Sequence, residues 1–307
     1  MNTLKGYLLG LGLFSFLCLH SSLTVAKEDS DDSLQTLQKQ QKLQKLQIIA
    51  LAPHIVESLY AIGAGEQIIG TTAHADYPAD AKNILRVGNY ARLQIEKIIQ
   101  LKPDIIIAWK TGNPTDDLAR LKKHQLKVIY SHPQTLEDVA NELIMLGKIT
   151  GREVAANVIA AKYMKKLQKI QQIYANQSKV SVFYELWSRP LRTVANKAWP
   201  QQQIQLCGAT NPFANAIDDY PSIGLEQVLV SLPQVVIQPS QPSQQGTDSP
   251  DGLNWPQWQH IPAVKNNFIF YPNADKLHRM TTRMLDEVLI LCEQIDTARQ
   301  FYQTNKR

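Results

Sequence analysis

The longest amphipathic pattern of the chain spans residues 152–175, a stretch without Pro or Gly. Its apolar residues recur at the spacing of one helix face, and its lysines occupy the other faces. The apolar residues are Val154, Val158, Ile159, Tyr163, Leu167, Ile170 and Tyr174, and the lysines are Lys162, Lys165, Lys166 and Lys169. At 1.5 Å per residue this helix would be about 36 Å long. The pattern predicts a connecting helix, over residues 151–177 with its flanks, that is long enough to join two domains.

The sequences on the two sides of this helix resemble each other. IEKIIQLKPDIIIAW (95–109) and LEQVLVSLPQVVIQP (225–239) share one pattern at an offset of 130 positions, which aligns Glu96 with Glu226. Each copy predicts a helix, a Pro that ends it, and a buried parallel strand. Two unrelated helix-to-strand junctions would also look alike, because α/β proteins reuse this order of elements. The long helix between the copies favours an internal duplication.

Strand and helix patterns alternate through both halves of the chain. The predicted strands are 48–53, 67–71, 104–108, 127–130, 180–185, 234–238 and 268–271, and the helices are 54–62, 93–101, 114–124, 135–149, 200–207, 224–231 and 281–301. This order predicts an α/β fold of two Rossmann-like lobes with parallel sheets, residues 48–150 and 178–307, joined by the long helix. Ligands bind beyond the carboxyl ends of parallel strands, so four loops should line a cleft between the lobes. These loops are 72–78, 109–114, 186–190 and 272–279.

The N-terminus has the pattern of an export segment. Lys5 precedes an apolar run that ends in small and polar residues, which predicts a signal peptide over residues 1–26. A retained membrane anchor is the alternative, although the run is short for a span. Cys18 lies in a poor lipobox, which favours a non-lipidated exported protein. Residues 27–47 are polar and low in complexity, and they predict a disordered or partly helical tether, with a short coiled coil as the alternative.

Charge and cysteine content add two expectations. Subtracting the charge of Lys5 from the net +5 leaves +4 for the exported chain, with no basic run that would favour nucleic acid as a partner. Cys207 and Cys292 then remain. An even number of cysteines in an oxidising compartment favours one disulfide, and two buried free thiols are the alternative.

Motifs of enzymes are scarce in this sequence, whereas aromatic residues are frequent in the predicted cleft loops. The chain has no P-loop, no nucleophile elbow, no complete dinucleotide fingerprint and no paired metal motif. We therefore expect no catalytic residues, no metal site and no cofactor. The candidate cleft aromatics are Tyr77, Trp109, Trp187, Trp199 and Tyr220. Each could instead be a packing residue, but Trp109 directly follows a buried strand, which places it at the cleft mouth.

Three segments of the sequence resemble one family of receptors. PHIVESLYAIGAGEQIIGTTAHADYP (53–78), LQIEKIIQLKPDIIIAWKTGN (93–113) and LEQVLVSLPQVVI (225–237) are similar to the periplasmic vitamin B12-binding proteins of ABC importers. These proteins fall within the class III periplasmic binding proteins, which receive siderophores, haem and corrinoids. The resemblance runs from residue 48 to the C-terminus, and the segment around Trp109 favours B12. It implies a monomeric periplasmic receptor that captures cobalamin or a related corrinoid and is not an enzyme.

The same resemblance implies roles for individual residues. The segment Asp275, Lys276, Leu277, His278 and Arg279 matches the family's ligand-contacting segment, with Arg279 as a donor to ligand amides or phosphate. A surface ion pair of Arg279 with Asp275 or Asp286 is the alternative. His74 stands where a ligand-contacting Tyr is known in the family, with a loop histidine that does not contact the ligand as the alternative. Tyr220 stands where the family can carry a Trp. Cys207 and Cys292 match a disulfide of the C-terminal lobe.

Glu96 and Glu226 match the glutamates with which the family meets arginines on the two permease subunits of the transporter, which also carries ATPase subunits. A receptor with one such charge on each lobe suits a symmetric permease dimer. Two solvated carboxylates at helix starts are the alternative. Glu57 is a weaker docking candidate.

Three other functions compete with the corrinoid receptor. A ferric siderophore or haem receptor of the same fold would use cleft arginines, for which Arg189, Arg192, Arg279 and Arg283 are available. A metal-ion receptor would use histidines such as His54, His74, His132 and His278 with a carboxylate. An exported enzyme of unknown type is the third.

Overall fold

The computed structural model describes residues 46–240 and 252–305. The predicted signal peptide and most of the predicted tether, residues 27–45, lie outside the described residues, as does the segment 241–251. Among the described residues, no helix combines the length and apolar character that a membrane span requires.

The first sheet is parallel and lies in the N-terminal half of the chain. Its strands are β1 (Ile48–Ala50), β2 (Ile68–Thr71), β3 (Ile105–Trp109) and β4 (Val128–Ser131), in the spatial order β2-β1-β3-β4. Helices cover it: α1 (Pro53–Ala61), α2 (Ile95–Gln100), α3 (Thr115–Lys123) and α4 (Asp138–Thr150). Alternate residues of each strand enter two separate apolar layers. Ile48 and Ile107 belong to one layer, and Ile49 and Ile106 belong to the other. A sheet buried on both faces explains why its two central strands, β1 and β3, are runs of isoleucine rather than alternating patterns.

The predicted long helix is α5 (Glu153–Tyr174). Its buried face differs in part from the prediction, because Val154 and Val158 are exposed and Ala156 and Ala160 are buried instead. Helix α4 packs very closely here: a Cβ on Gly147 would lie 2.4 Å from the Cβ of Ala156. Only small side chains fit such a contact, so the first two turns of α5 bury alanines. Further along, Tyr163, Leu167 and Ile170 are buried as predicted.

The second sheet, β5 (Val182–Tyr184), β8 (Val235–Ile237) and β9 (Ile269–Phe270), is also parallel, in the order β5-β8-β9. Its helices are α6 (Trp199–Leu206), α7 (Leu225–Ser231), α8 (Pro262–Lys265), α9 (Ala274–His278) and α10 (Met284–Thr304). We call β1–β4 with α1–α4 the N-lobe, and the second sheet with its connecting segments and α6–α10 the C-lobe. One hydrophobic cluster runs from Ile48 through Leu167 to Val182, so both lobes and α5 share a core. The lobe boundaries 48–150 and 178–307 stay a prediction.

Two of the predicted loops contain regular structure. Residues 186–190 belong largely to an antiparallel hairpin, β6 (Trp187–Ser188) with β7 (Leu191–Arg192). Residues 272–279 contain helix α9. Both elements were missed because strands of two residues and a helix of five are too short to show a hydrophobic period.

The internal repeat has a structural counterpart. Helix α2 and strand β3 in the N-lobe occupy the positions of α7 and β8 in the C-lobe at the offset of 130, so that Ile105 of β3 corresponds to Val235 of β8. In both lobes the strand has a parallel neighbour on each side. The disulfide between Cys207 and Cys292 links the end of α6 to α10 within the C-lobe.

Candidate functional site

A cavity of about 700 Å³ lies between the lobes, within the usual size range of small-molecule sites. The N-lobe contributes Trp109 and Thr111, and the C-lobe contributes Leu186, Trp187, Pro190, Arg192 and Tyr220. Three predicted contact residues, Trp109, Trp187 and Tyr220, therefore meet at one cavity. The predicted loops 109–114 and 186–190 both reach it.

Trp109 is the last residue of β3, which runs between β1 and β4 in the N-lobe sheet. The Asn113 side chain accepts a hydrogen bond from Trp109 N at 2.7 Å and donates one to Leu51 O at 2.8 Å. Gly112 lies against the indole, since a Cβ there would be 1.8 Å from Trp109 Cε3. The segment from Trp109 to Asn113 thus folds back on itself and fixes the ring beside the cavity.

A buried polar network lies behind Trp109. The His54 ring packs edge-to-face against Trp109 with centroids 5.3 Å apart, and His54 Nε2 lies 2.9 Å from Ser131 Oγ. Ser131 Oγ in turn lies 2.7 and 2.8 Å from the two carboxyl oxygens of Glu142. Burial, and then the charge of Arg279, lowers the pKa of His54 to about 3, and burial raises the pKa of Glu142 to about 7. Ser131 is fully buried, so the trio supports the Trp109 ring and exposes no nucleophile.

The β6–β7 hairpin carries the C-lobe side of the cavity. Its base is anchored on the buried carboxylate of Glu185, which accepts hydrogen bonds from Ser188 Oγ at 2.6 Å and Trp255 Nε1 at 2.7 Å. Thr193 Oγ1 donates to Tyr184 O at 2.8 Å on the other side. The exposed Trp187 indole donates to Arg189 O at 2.9 Å. These contacts hold Trp187 at the cavity without burying it.

The predicted loops 72–78 and 272–279 do not line this cavity but meet each other in an ionic cluster. The cluster consists of Glu57, Asp76, Asp275, Arg279 and Arg283. Arg279 Nη1 lies 2.7 Å from Glu57 Oε1 and 2.8 Å from Asp76 Oδ1, and Nη2 lies 3.3 Å from Asp275 Oδ1. Arg283 donates to both oxygens of Glu57 at 2.9 and 2.6 Å. The guanidinium of Arg279 is thus bound by protein carboxylates, among them the Asp275 proposed as its alternative partner, while Asp286 pairs with Lys166.

The remaining predicted contact residues lie around this cluster. Tyr77 stacks under the Arg283 guanidinium at 3.5 Å from the ring centroid. His74 is exposed, has a left-handed backbone (φ 67°), and its carbonyl accepts from Arg279 Nη2 at 3.1 Å. Lys276 pairs with Glu287 at 3.1 Å, Leu277 is fully buried, and His278 Nε2 lies 2.8 Å from Tyr184 Oη. None of the five lines the 700 Å³ cavity, and their contact with a ligand stays a prediction.

Trp199, expected in a cleft loop, begins helix α6 and is buried. Its assignment to a loop was therefore wrong, because the Pro that follows it sits in the first turn of a helix, where its missing N–H costs no hydrogen bond.

The histidines that a metal-ion receptor would use are not grouped into a metal site, although His54 Nε2 lies 3.9 Å from Glu142 Oε1. Within residues 46–240 and 252–305, no three His, Cys, Asp or Glu side chains are grouped to hold a metal ion.

The two candidate docking glutamates are exposed and occupy equivalent positions. Glu96 is the second residue of α2, and Glu226 is the second residue of α7. Glu96 makes an exposed ion pair with Arg120 at 3.3 Å. Exposed pairs of this kind contribute little to stability, so the carboxylate is free to exchange partners.

The sequence did not single out three residues that shape the cavity. Gly112 and Asn113 lie in the segment whose resemblance favoured B12. The motif therefore included both residues, but nothing in the sequence indicated that they hold the Trp109 ring. Arg192, considered only among four arginines for a siderophore, lies two positions beyond the predicted loop 186–190.

Comparisons with known proteins agree with this architecture. The sequence pattern of the periplasmic binding protein family matches residues 48–275. The vitamin B12-binding protein of Vibrio campbellii (strain ATCC BAA-1116) is 35% identical over 254 residues, which are 82% of this chain and 90% of the relative. The crystal structure of the periplasmic vitamin B12-binding protein BtuF of Vibrio cholerae has a TM-score of 0.75 at 35% identity, covering 82% of this chain and 97% of that one.

The periplasmic heme-binding protein RhuT from Roseiflexus sp. RS-1, in apo form, has a TM-score of 0.71 at 19% identity, covering 83% of this chain and 99% of that one. That likeness shows the fold alone. All these relatives are described as binding proteins, in agreement with the expectation that the chain is not an enzyme. The chain belongs to the periplasmic binding protein family, in the class whose two α/β lobes are joined by a single long helix.

Proposed function

We propose that this protein captures cobalamin or a related corrinoid in the periplasm and delivers it to an ABC transporter of the inner membrane. The observation that carries the proposal is the cavity between the lobes, where Trp109, Trp187 and Tyr220 meet. Relatives at 35% identity that are described as vitamin B12-binding proteins support it. The corrinoid would be the transported cargo, and no resident cofactor is required.

The chemistry of the cavity suits a large, flat ligand. A corrin ring presents broad apolar faces and a fringe of amides, so aromatic side chains supply contact area while a few polar groups set the orientation. Trp109 is held rigidly by Asn113 and Gly112, and Trp187 by the hairpin. Rings fixed before the ligand arrives lose little conformational freedom on binding, which favours affinity.

Delivery would use the two lobes symmetrically. Glu96 and Glu226 are exposed at equivalent helix starts, and each would pair with an arginine on one subunit of a permease dimer that is driven by ATPase subunits. Acting as a monomer, the receptor would present one glutamate to each subunit.

Haem is the second candidate, because heme-binding proteins share the fold. Highly anionic siderophores are less well matched, since Arg279 and Arg283 are already paired with Glu57.

Isothermal titration of the purified protein with cyanocobalamin tests the proposal. We expect one-to-one binding that weakens at least tenfold, or about 1.4 kcal/mol, in Trp109→Ala. Tyr90→Ala, which removes a ring that is 77% exposed and does not line the cavity, is the matched control and should bind normally. Absence of binding by the folded wild-type protein, with binding of haem in a parallel titration, would replace the corrinoid by haem.

A further inference from the structure

We propose that Arg192 determines specificity by binding the single anionic group of the cargo, the phosphodiester that carries the nucleotide loop of a complete corrinoid. This inference rests on the proposed function and deepens it. It predicts that the receptor distinguishes complete corrinoids from those that lack the nucleotide loop.

Arg192 is the one permanently charged residue among the described residues that line the cavity; the others are Trp109, Thr111, Leu186, Trp187, Pro190 and Tyr220. Arg192 is exposed, and its guanidinium makes no hydrogen bond or ion pair with any residue in 46–240 or 252–305. A cavity with aromatic walls and one unpaired cation is complementary to a large, mainly apolar ligand with one anionic group.

Two other arginines near the cleft, Arg279 and Arg283, are already paired with carboxylates of the protein. Arg279 and Arg283 each contact the buried carboxylate of Glu57, and Arg279 also contacts Asp76 and Asp275. Their charges are therefore compensated by protein groups. Removing either from its carboxylates to bind a ligand would leave Glu57 buried with one partner fewer, which costs free energy. Arg192 carries no such cost.

The backbone of Arg192 is fixed on two sides. In the hairpin it pairs with Trp187, and Leu186 N donates to its carbonyl at 3.0 Å. On its other edge it forms an isolated antiparallel bridge with Ser222. The neighbours Leu191 and Thr193 are buried, so the alternation of an extended chain directs the Arg192 side chain away from the core. A stem anchored in this way places the guanidinium reproducibly at the cavity.

The chemistry of this pairing favours a phosphate group. A guanidinium forms two parallel, charge-assisted hydrogen bonds with a phosphate, and the planar fork selects for that geometry. Aromatic walls lower the local polarity and strengthen the attraction relative to water. Haem carries two carboxylates and would leave one of them without a cation among the described residues that line this cavity.

The test uses the full protein and two probes, cyanocobalamin and dicyanocobinamide, the second of which lacks the phosphate and nucleotide. Each is titrated calorimetrically into wild type, Arg192→Gln, Arg192→Lys and Arg189→Gln. Arg189 is the matched control, because its exposed side chain does not line the cavity, and the substitution keeps the backbone carbonyl that accepts from Trp187. We expect Arg192→Gln to bind cyanocobalamin at least tenfold more weakly and dicyanocobinamide as wild type does.

Arg192→Lys should lie between wild type and Arg192→Gln for cyanocobalamin, because Lys keeps the charge but loses the two-pronged geometry. Arg189→Gln should match wild type with both probes. An equal loss for both probes in Arg192→Gln, or no loss for either, would overturn the assignment of Arg192 and leave the corrinoid function standing. If the wild-type protein is folded and binds neither probe, both proposals are overturned. If Arg192→Gln proves unfolded by circular dichroism, the two probes are compared on Arg192→Lys under the same criteria.

Discussion

Arg279 Nη1 lies 2.7 Å from Glu57 Oε1, although the two residues are 222 positions apart in the chain. Glu57 belongs to helix α1 of the N-lobe, and Arg279 follows helix α9 of the C-lobe. Arg283 binds the same carboxylate, so two C-lobe arginines converge on one N-lobe glutamate. The contact joins the lobes directly, in addition to the long helix α5, and it occupies the arginine that sequence resemblance assigned to the ligand.

Glu57→Gln should lower the free energy of unfolding by about 3 kcal/mol, because it leaves two largely buried guanidinium groups short of a carboxylate. Urea-induced unfolding measures the loss. Glu66→Gln, a change at an exposed glutamate of the same lobe, is the control and should be neutral. Equal urea midpoints for wild type and Glu57→Gln would show that the ionic cluster does not stabilise the fold.

Gly112→Ala should weaken cyanocobalamin binding at least tenfold, since the new methyl group would overlap the Trp109 ring and displace it from the cavity. The strain should also reduce the unfolding free energy by about 1–3 kcal/mol. Calorimetry and urea unfolding measure the two effects. Gly224→Ala is the matched control, because its Cβ would meet only the flexible ends of Glu226 at 3.0 Å and Gln227 at 3.8 Å. An unchanged affinity of Gly112→Ala for cyanocobalamin would show that binding does not depend on the position of the Trp109 ring.

Reversing both Glu96 and Glu226 to Arg should reduce corrinoid uptake by cells at least tenfold, because two attractive contacts with the permease become repulsive. Affinity for cyanocobalamin should stay unchanged, since neither residue lines the cavity. The control reverses the exposed pair Glu153 and Glu293, which makes the same change in net charge elsewhere on the surface. Normal uptake by the Glu96 and Glu226 variant would remove the docking hypothesis.

The buried pair His54 and Glu142 should give opposite pH dependences. Burial raises the pKa of Glu142 from 4.5 to about 7, so its stabilising contribution is complete below pH 4.5 and is lost as the pH rises through 7. Burial, followed by the charge of Arg279, lowers the pKa of His54 from 6.5 to about 3, so His54 destabilises the fold as the pH falls from 6.5 towards 3.

Glu142→Gln removes only the first effect. The unfolding free energy of the variant, minus that of wild type, should therefore rise between pH 4.5 and 7 by up to about 1.4 kcal/mol per pH unit. Urea unfolding at several pH values measures it, with the exposed Glu153→Gln as control. A difference that does not change with pH would contradict the raised pKa.

Replacing both Cys207 and Cys292 by Ala should cost about 2–4 kcal/mol of unfolding free energy, because the bond closes a long loop in the unfolded chain. The two residues are 85 positions apart and both are fully buried. Wild-type protein unfolded with and without a reducing agent gives an independent measure of the same difference. No change in either comparison would mean that the disulfide does not stabilise the C-lobe.

Much of the fold was determined by local pattern. Isoleucine runs in β1 and β3 predict a sheet buried on both faces, and the repeat at an offset of 130 predicts the same helix and strand in each lobe. These features follow from the periodicity of burial within a single element, which a sequence records directly. Trp109 was predicted at the cleft for the same reason, since it ends a strand whose limits are visible in the pattern.

Other features depended on which distant residues meet. Val154 and Val158 continue the apolar face of α5 in sequence, yet the close approach of α4 at Gly147 turns alanines inward instead. The hairpin that carries Trp187 and Arg192 is too short to show a period.

The sequence by itself determined the two sheets, the helix between them and the strand end that carries Trp109, because each of these depends on neighbours within one segment. Only the tertiary structure decided that Arg279 binds Glu57 while Arg192 stays unpaired at the cavity within the described part of the chain. Both are arginines in short polar segments, and nothing local distinguishes them. The difference lies in a carboxylate 222 positions away, which the folding of two lobes brings beside one arginine and not the other.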